Sequence, residues 1–184
     1  MFILVLLTLV VSAGAQTLAL GDIMNRDQSI VLAGANTDAG ITLFEHGFSR
    51  IDGALIGLKS LQEDDPWWAV GAGLGLQPVR PQIVSIAWYP TLFHFRGEGW
   101  NSNSLSLLTV ASRMLVTKGN AFLIAYTGVN PGYSITNRKW SLDALPIGFM
   151  VGSWKRLNLF GEYDLKTEKV AVGIMWAIND GIIR

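Results

Sequence analysis

From Lys169 the chain reads KVAVGIMWAIN, and its side chains sort by twos: Val170, Val172, Ile174, Trp176 and Ile178 fall on one face, Ala171, Gly173, Met175 and Ala177 on the other. A period of two belongs to a β-strand, whose successive side chains point to opposite faces. The segment WWAVGAGLGL at 67–76 repeats the device, with Trp68, Val70, Ala72, Leu74 and Leu76 opposed by Trp67, Ala69, Gly71, Gly73 and Gly75. One face is bulky and the other nearly bare. In RLNLFGEYDLK at 156–166, Leu157, Leu159, Tyr163 and Leu165 share a face with Gly161, while Asn158, Glu162, Asp164 and Lys166 share the other with Phe160.

The same reading predicts strands at 29–36, 41–48, 51–60, 83–95, 104–116, 121–129 and 147–154, with weaker stretches at 18–23 and 134–142. Turn-forming residues separate them: 36–40 (NTDAG), 63–66 (EDDP), 118–120 (KGN), 130–132 (NPG) and 166–168 (KTE). Such short separations imply antiparallel hairpins, and no amphipathic helix of three turns interrupts them. About ten strands result, within a range of eight to twelve. A sandwich, a soluble barrel and a transmembrane barrel all fit that count. Bulk and charge separate them, because a membrane barrel turns its large apolar residues outward and its polar or small ones inward. The last two strands have that character, which places Val170, Val172, Ile174 and Trp176 against lipid and Asn158, Glu162, Asp164 and Lys166 in the lumen. Strands 83–95 and 104–116, apolar on both faces in parts, do not follow from that rule.

Composition points the same way. Half of the 184 residues are hydrophobic and only 15% charged, with a mean hydropathy of +0.35; disorder is excluded. Lysine plus arginine equals aspartate plus glutamate at 14 each, so no global field recruits nucleic acid. The start, MFILVLLTLVVSAGA at 1–15, is an apolar run closed by Ala13 and Ala15 in small-x-small positions, the pattern of an export signal cut after Ala15. Residues 16–184 then form one barrel domain. Seven tryptophans are many for this length, and Trp67, Trp68, Trp88, Tyr89, Trp100, Tyr133, Trp140 and Trp154 stand at or near predicted strand ends, where an interfacial girdle places them.

A signal-like start, low charge, alternating segments of about ten residues and aromatic strand ends together resemble the small outer-membrane β-barrels of Gram-negative bacteria. The resemblance is one of class and covers 16–179. It implies an all-β, antiparallel up-and-down barrel of the transmembrane type in a bacterial outer membrane, with membrane lipids as its partners. Members of that class commonly finish on an aromatic residue, whereas this chain runs on past Trp176 to Arg184.

Candidate chemistry is sparse. Without cysteine there is no thiolate nucleophile and no cysteine-based metal site, and His46 and His94 lack chelating spacing; no metal or cofactor is expected. His94 with Ser102 or Ser104 is the one imaginable nucleophilic pair, suited to a lipid acyl hydrolase or transferase. If Glu162 and Asp164 line a lumen, Arg113 and Lys59 are their candidate counter-charges. The stretch 96–104 (RGEGWNSNS) is the longest expected loop and the candidate for external contact. A non-enzymatic envelope barrel with a structural, adhesive or permeation role is the leading expectation. A lipid-modifying enzyme and a secreted soluble barrel binding an apolar ligand or a protein are its alternatives.

Overall fold

A computed structural model describes residues 29–47, 51–79, 84–119, 121–153 and 157–178. The expected export signal at 1–15, the weak strand at 18–23 and Trp154 lie outside the described residues. Eleven strands form one antiparallel sheet: β1 Ser29–Ala35, β2 Ala39–Gly47, β3 Ile51–Ser60, β4 Trp67–Val79, β5 Ser85–Gly97, β6 Trp100–Lys118, β7 Ala121–Ser134, β8 Lys139–Ala144, β9 Pro146–Ser153, β10 Leu157–Asp164 and β11 Lys169–Ala177. Each pairs with its neighbour in sequence up to β7, β11 pairs with β1, and β6 pairs with β7, so the sheet closes on itself. β8 and β9 both pair with β7, at its 130–134 and 121–127 portions, and act as two segments of one barrel strand. The result is an all-β, up-and-down barrel of ten strands, with no helix among the described residues.

The break between β8 and β9 has a local cause. Pro131 offers no N–H to the ladder, and the β7–β8 register shifts between Asn130 and Pro131. The unpaired Leu145 N–H donates instead to Asp164 Oδ1 at 2.9 Å, and Thr127 Oγ1 donates to the Pro146 carbonyl at 3.1 Å.

Ser29 and Ile178 lie at one rim, here the terminal rim; the turns 36–38, 61–66, 98–99, 135–138 and 165–168 lie at the other, the distal rim. Tight turn chemistry shapes the latter. Asn36 Oδ1 accepts from the backbone N–H of Asp38 and Ala39, both at 2.8 Å, and Asp38 pairs with Lys169 across to β11. The expected loop at 96–104 does not exist: β5 runs to Gly97 and β6 starts at Trp100. Gly99, at φ +72°, lets two residues reverse the chain. Ser102 and Ser104 then alternate inward and Asn101 and Asn103 outward, so polar residues that read as loop are strand.

The interior is not the polar lumen that the outward-bulk rule implies. Ile30, Leu32, Ile41, Leu43, Ile56, Leu58, Trp67, Tyr89, Phe93, Phe95, Leu108 and Val110 pack into one buried core. This accounts for the strands that are apolar on both faces: β5 and β6 supply core on one side and an apolar exterior on the other. The bare face of β4 is what makes room. A Cβ on Gly71 would stand 2.6 Å from the Phe93 ring, and one on Gly75 would stand 3.0 Å from Tyr89. Large interior side chains thus lie flat over glycines of the neighbouring strand. Gly173 serves Phe160 in the same way, and a Cβ there would also come within 2.6 Å of the Ala33 carbonyl oxygen, which cannot swing aside. Gly173→Ala is therefore expected to cost about 1–3 kcal/mol by overpacking. Gly161→Ala, with nothing within 4 Å, should change stability by less than about 0.5 kcal/mol. Denaturant midpoints of the folded barrel check the pair; equal midpoints would refute the close-approach argument.

Candidate functional site

Two surfaces carry whatever this barrel does, and alternation along each strand separates them. Val170, Val172, Ile174 and Trp176 are exposed on the outer face, at 58%, 59%, 46% and 56%, while Ala171 and Met175 are buried inside. Leu157, Leu159 and Tyr163 join them on β10, Trp68, Val70 and Leu74 on β4, and Ile147, Phe149 and Val151 on β9. Every acidic residue within a described strand (Glu45, Asp52, Asp143, Glu162, Asp164) is buried inside, and every exposed acid among the described residues lies in a turn. The exposed strand cations are few: Lys59 and Arg96 near the distal rim, Lys118 at the terminal end of β6, Arg113 earlier on β6 just past the start of β5, and Lys139 opening β8. Between them the outer face is uncharged.

Aromatic residues mark both ends of that face. Trp68, Trp140 and Tyr163 are exposed toward the distal rim, and Tyr133 lies against Trp140 with ring centroids 5.0 Å apart. Trp88, Trp176 and Phe44 are exposed toward the terminal rim. Trp67 and Tyr89, expected in the same girdle, point inward and are buried; each is offset by one residue from the outward Trp68 and Trp88, and adjacent side chains must oppose.

Inside, buried polar residues occur on both sides of the barrel: Glu45, Asp52, Ser60 and Thr91 on β2, β3 and β5, and a larger group on β6 to β10. Asn158, Glu162 and Asp164 are buried there. Asp164 is a structural acceptor, taking Leu145 N–H at 2.9 Å, Lys166 N–H at 3.0 Å and Thr167 Oγ1 at 2.7 Å, and so clamps β9 to the β10–β11 turn. Glu162 Oε2 accepts from the Tyr126 hydroxyl at 3.1 Å. Ser106 Oγ donates to Asn130 Oδ1 at 2.6 Å, and Ser141 Oγ to Asp143 Oδ1 at 2.5 Å. Lys166 does not belong to this set. Strand β10 ends at Asp164, which leaves Lys166 exposed in the turn, acting electrostatically on Asp143. Lys59 and Arg113 are not counter-charges to Glu162 and Asp164 either: both are exposed on the outer face, with the barrel wall between. Among the described residues, hydrogen-bond donors rather than cations meet these two carboxyl groups.

The pair His94 with Ser102 or Ser104 is not brought together. Cross-strand register sets His94 opposite Asn103, Phe95 opposite Ser102 and Phe93 opposite Ser104. His94 therefore lies on the outer face, its Nδ1 2.9 Å from Asn103 Oδ1 and its ring edge-on with that of Trp68 at 6.2 Å between centroids, whereas both serines are buried inside. The other histidine has a hydroxyl neighbour that the sequence reading missed. Ser29 Oγ and His46 Nδ1 are 2.8 Å apart, a contact made by the β1–β2 register across 17 positions of sequence. Among the described residues no group of three or more His, Cys, Asp or Glu is placed to hold a metal ion. Compared with known protein families and with curated protein sequences, the chain matches none.

Proposed function

We propose that this chain is a membrane-embedded barrel of the bacterial outer-membrane type, exported by the segment 1–15, that serves a non-enzymatic, structural role with a closed interior. The observation that carries the reading is the outer face of the described strands, free of acids and nearly free of cations, with exposed aliphatic residues between two aromatic ends. In water such a surface, far larger than isolated apolar residues, drives association; in a bilayer it is the matching solvent contact. A charge near the midplane of that face costs about 2–4 kcal/mol for a basic residue and less for an acidic one, a cost that the acids of the described strands avoid by facing inward.

The role follows from the filling. Tyr89, Phe93, Phe95, Leu32, Leu43, Leu108 and Val110 are almost wholly shielded from solvent inside the barrel, and such packing supports a plug-like element over a passive pore. Two measurements test the proposal. The expressed chain should sediment with membranes, resist extraction by high salt and enter solution only with detergent. A folded monomer in the detergent-free supernatant would overturn the membrane assignment. Reconstituted in planar bilayers, it should leave conductance at the lipid background, and discrete open steps would overturn the closed interior.

A further inference from the structure

We propose that the distal part of the outer face holds a binding site for the phosphate of an anionic lipid head group, built by Lys59, Trp68 and Arg96; it rests on the membrane-embedded reading above. Register places the three side by side, Lys59 opposite Trp68 and Trp68 opposite Arg96, on β3, β4 and β5. All three are exposed. The two cations are separated by two strand spacings, about 10 Å, which two long side chains close to meet one phosphate. Arginine presents a fork that matches phosphate oxygens, lysine a compact charge, and tryptophan is the ring that settles at head-group level.

Two observations make this row more than scattered surface charge. Neither Lys59 nor Arg96 forms an ion pair with a described residue, although Glu63, Asp64, Asp65 and Glu98 occupy the adjoining turns; Lys169, at the same rim, is tied to Asp38. Both cations remain available. Below the row, toward the terminal rim, the register continues with Gly57, Val70 and His94, then with Leu55, Ala72 and Leu92. Neither of those rows contains an acid or a lysine or arginine, and the exposed Val70, Leu55 and Leu92 offer an acyl chain its contact. A cationic, tryptophan-bearing row over an apolar strip has the order of a lipid: head group, then tail.

The test uses the full chain folded into phosphatidylcholine vesicles that carry a small fraction of spin-labelled phosphatidic acid or, in parallel, spin-labelled phosphatidylcholine. The immobilised spectral fraction should show preference for phosphatidic acid. Combining Lys59→Gln with Arg96→Gln should reduce that preference about fivefold for each charge removed. Combining Arg113→Gln with Lys118→Gln removes the same charge from the terminal half of β6 and should reduce it much less. Equal losses from the two pairs would reduce the effect to diffuse surface potential and overturn the site. Displacement of the labelled lipid by inorganic phosphate would reassign the row to a soluble anion and overturn it as a lipid site. Heat-modifiable migration on gels reports folding in each sample. If the unsubstituted chain fails to fold into vesicles, the membrane reading falls; if it folds without lipid preference, only this site does.

Discussion

Ile174→Arg is expected to destabilise the lipid-folded barrel by about 2–4 kcal/mol, a large part of the roughly 5–15 kcal/mol that holds a folded domain together, and so to lower the fraction that folds into vesicles. Ile174 is exposed on the outer face of β11, two positions from Val172 and two from Trp176. Across the ladders it meets Leu159 on β10 and Ala33 on β1. Both cross-strand neighbours of an arginine there are apolar and offer it no hydrogen-bond partner. Ala177→Ser, a small polar change at the strand's end, provides the comparison and should alter the folded fraction little. Folded fractions read by gel mobility after refolding into vesicles decide the matter. Equal tolerance of the two changes would remove the basis for placing lipid against Val170, Val172, Ile174 and Trp176.

Much of the barrel was legible because the signal is local. Alternation along β4, β10 and β11 separates the faces directly, and Asn36 and Gly99 terminate strands by their own chemistry. The ten-strand closure was legible as a count, but the β6–β7 and β1–β11 pairings depend on residues distant in sequence. What misled was composition without register. The stretch 96–104 is polar and glycine-bearing, hence loop-like; yet its serines face a closed interior and its asparagines the outside, and only pairing with β5 reveals this. Likewise, a rule that sends bulk outward has no place for a barrel filled with phenylalanine.

The candidate site was less legible for a related reason. His94, Ser102 and Ser104 are near in sequence, but a two-residue turn reflects β6 back on β5. The histidine and the serines then occupy positions of opposite parity, on opposite sides of the wall. Glu162 and Asp164 carried a readable inward parity, but not their partners. Tyr126 is 36 positions from Glu162, and the Leu145 N–H that reaches Asp164 is released only by the break between β8 and β9. The row Lys59, Trp68 and Arg96 had no sequence signal, since it exists only where three strands register.

Phe93→Ala should cost about 3–5 kcal/mol, because it empties a fully buried, closely packed part of the interior. Phe93 is 1% exposed, its ring lies over Gly71 on β4, and its centroid is 5.6 Å from that of Phe95. No neighbour on the bare face of β4 can relax into the space, for Gly71 and Gly73 have no side chain to offer. Leu92→Ala, one residue away but 53% exposed on the outer face, removes contact with solvent or lipid and should cost less than about 1.5 kcal/mol. The glycine supplies a sharper check. Gly71→Leu alone forces a side chain into the Phe93 ring and should destabilise; combined with Phe93→Ala, the same leucine occupies the vacated volume and should restore part of the loss. The coupling is expected to favour the double variant by about 1–3 kcal/mol relative to additivity. Unfolding midpoints of the four proteins in one detergent measure it, and strictly additive effects would mean that Phe93 and Gly71 do not share the space on which the filled interior depends.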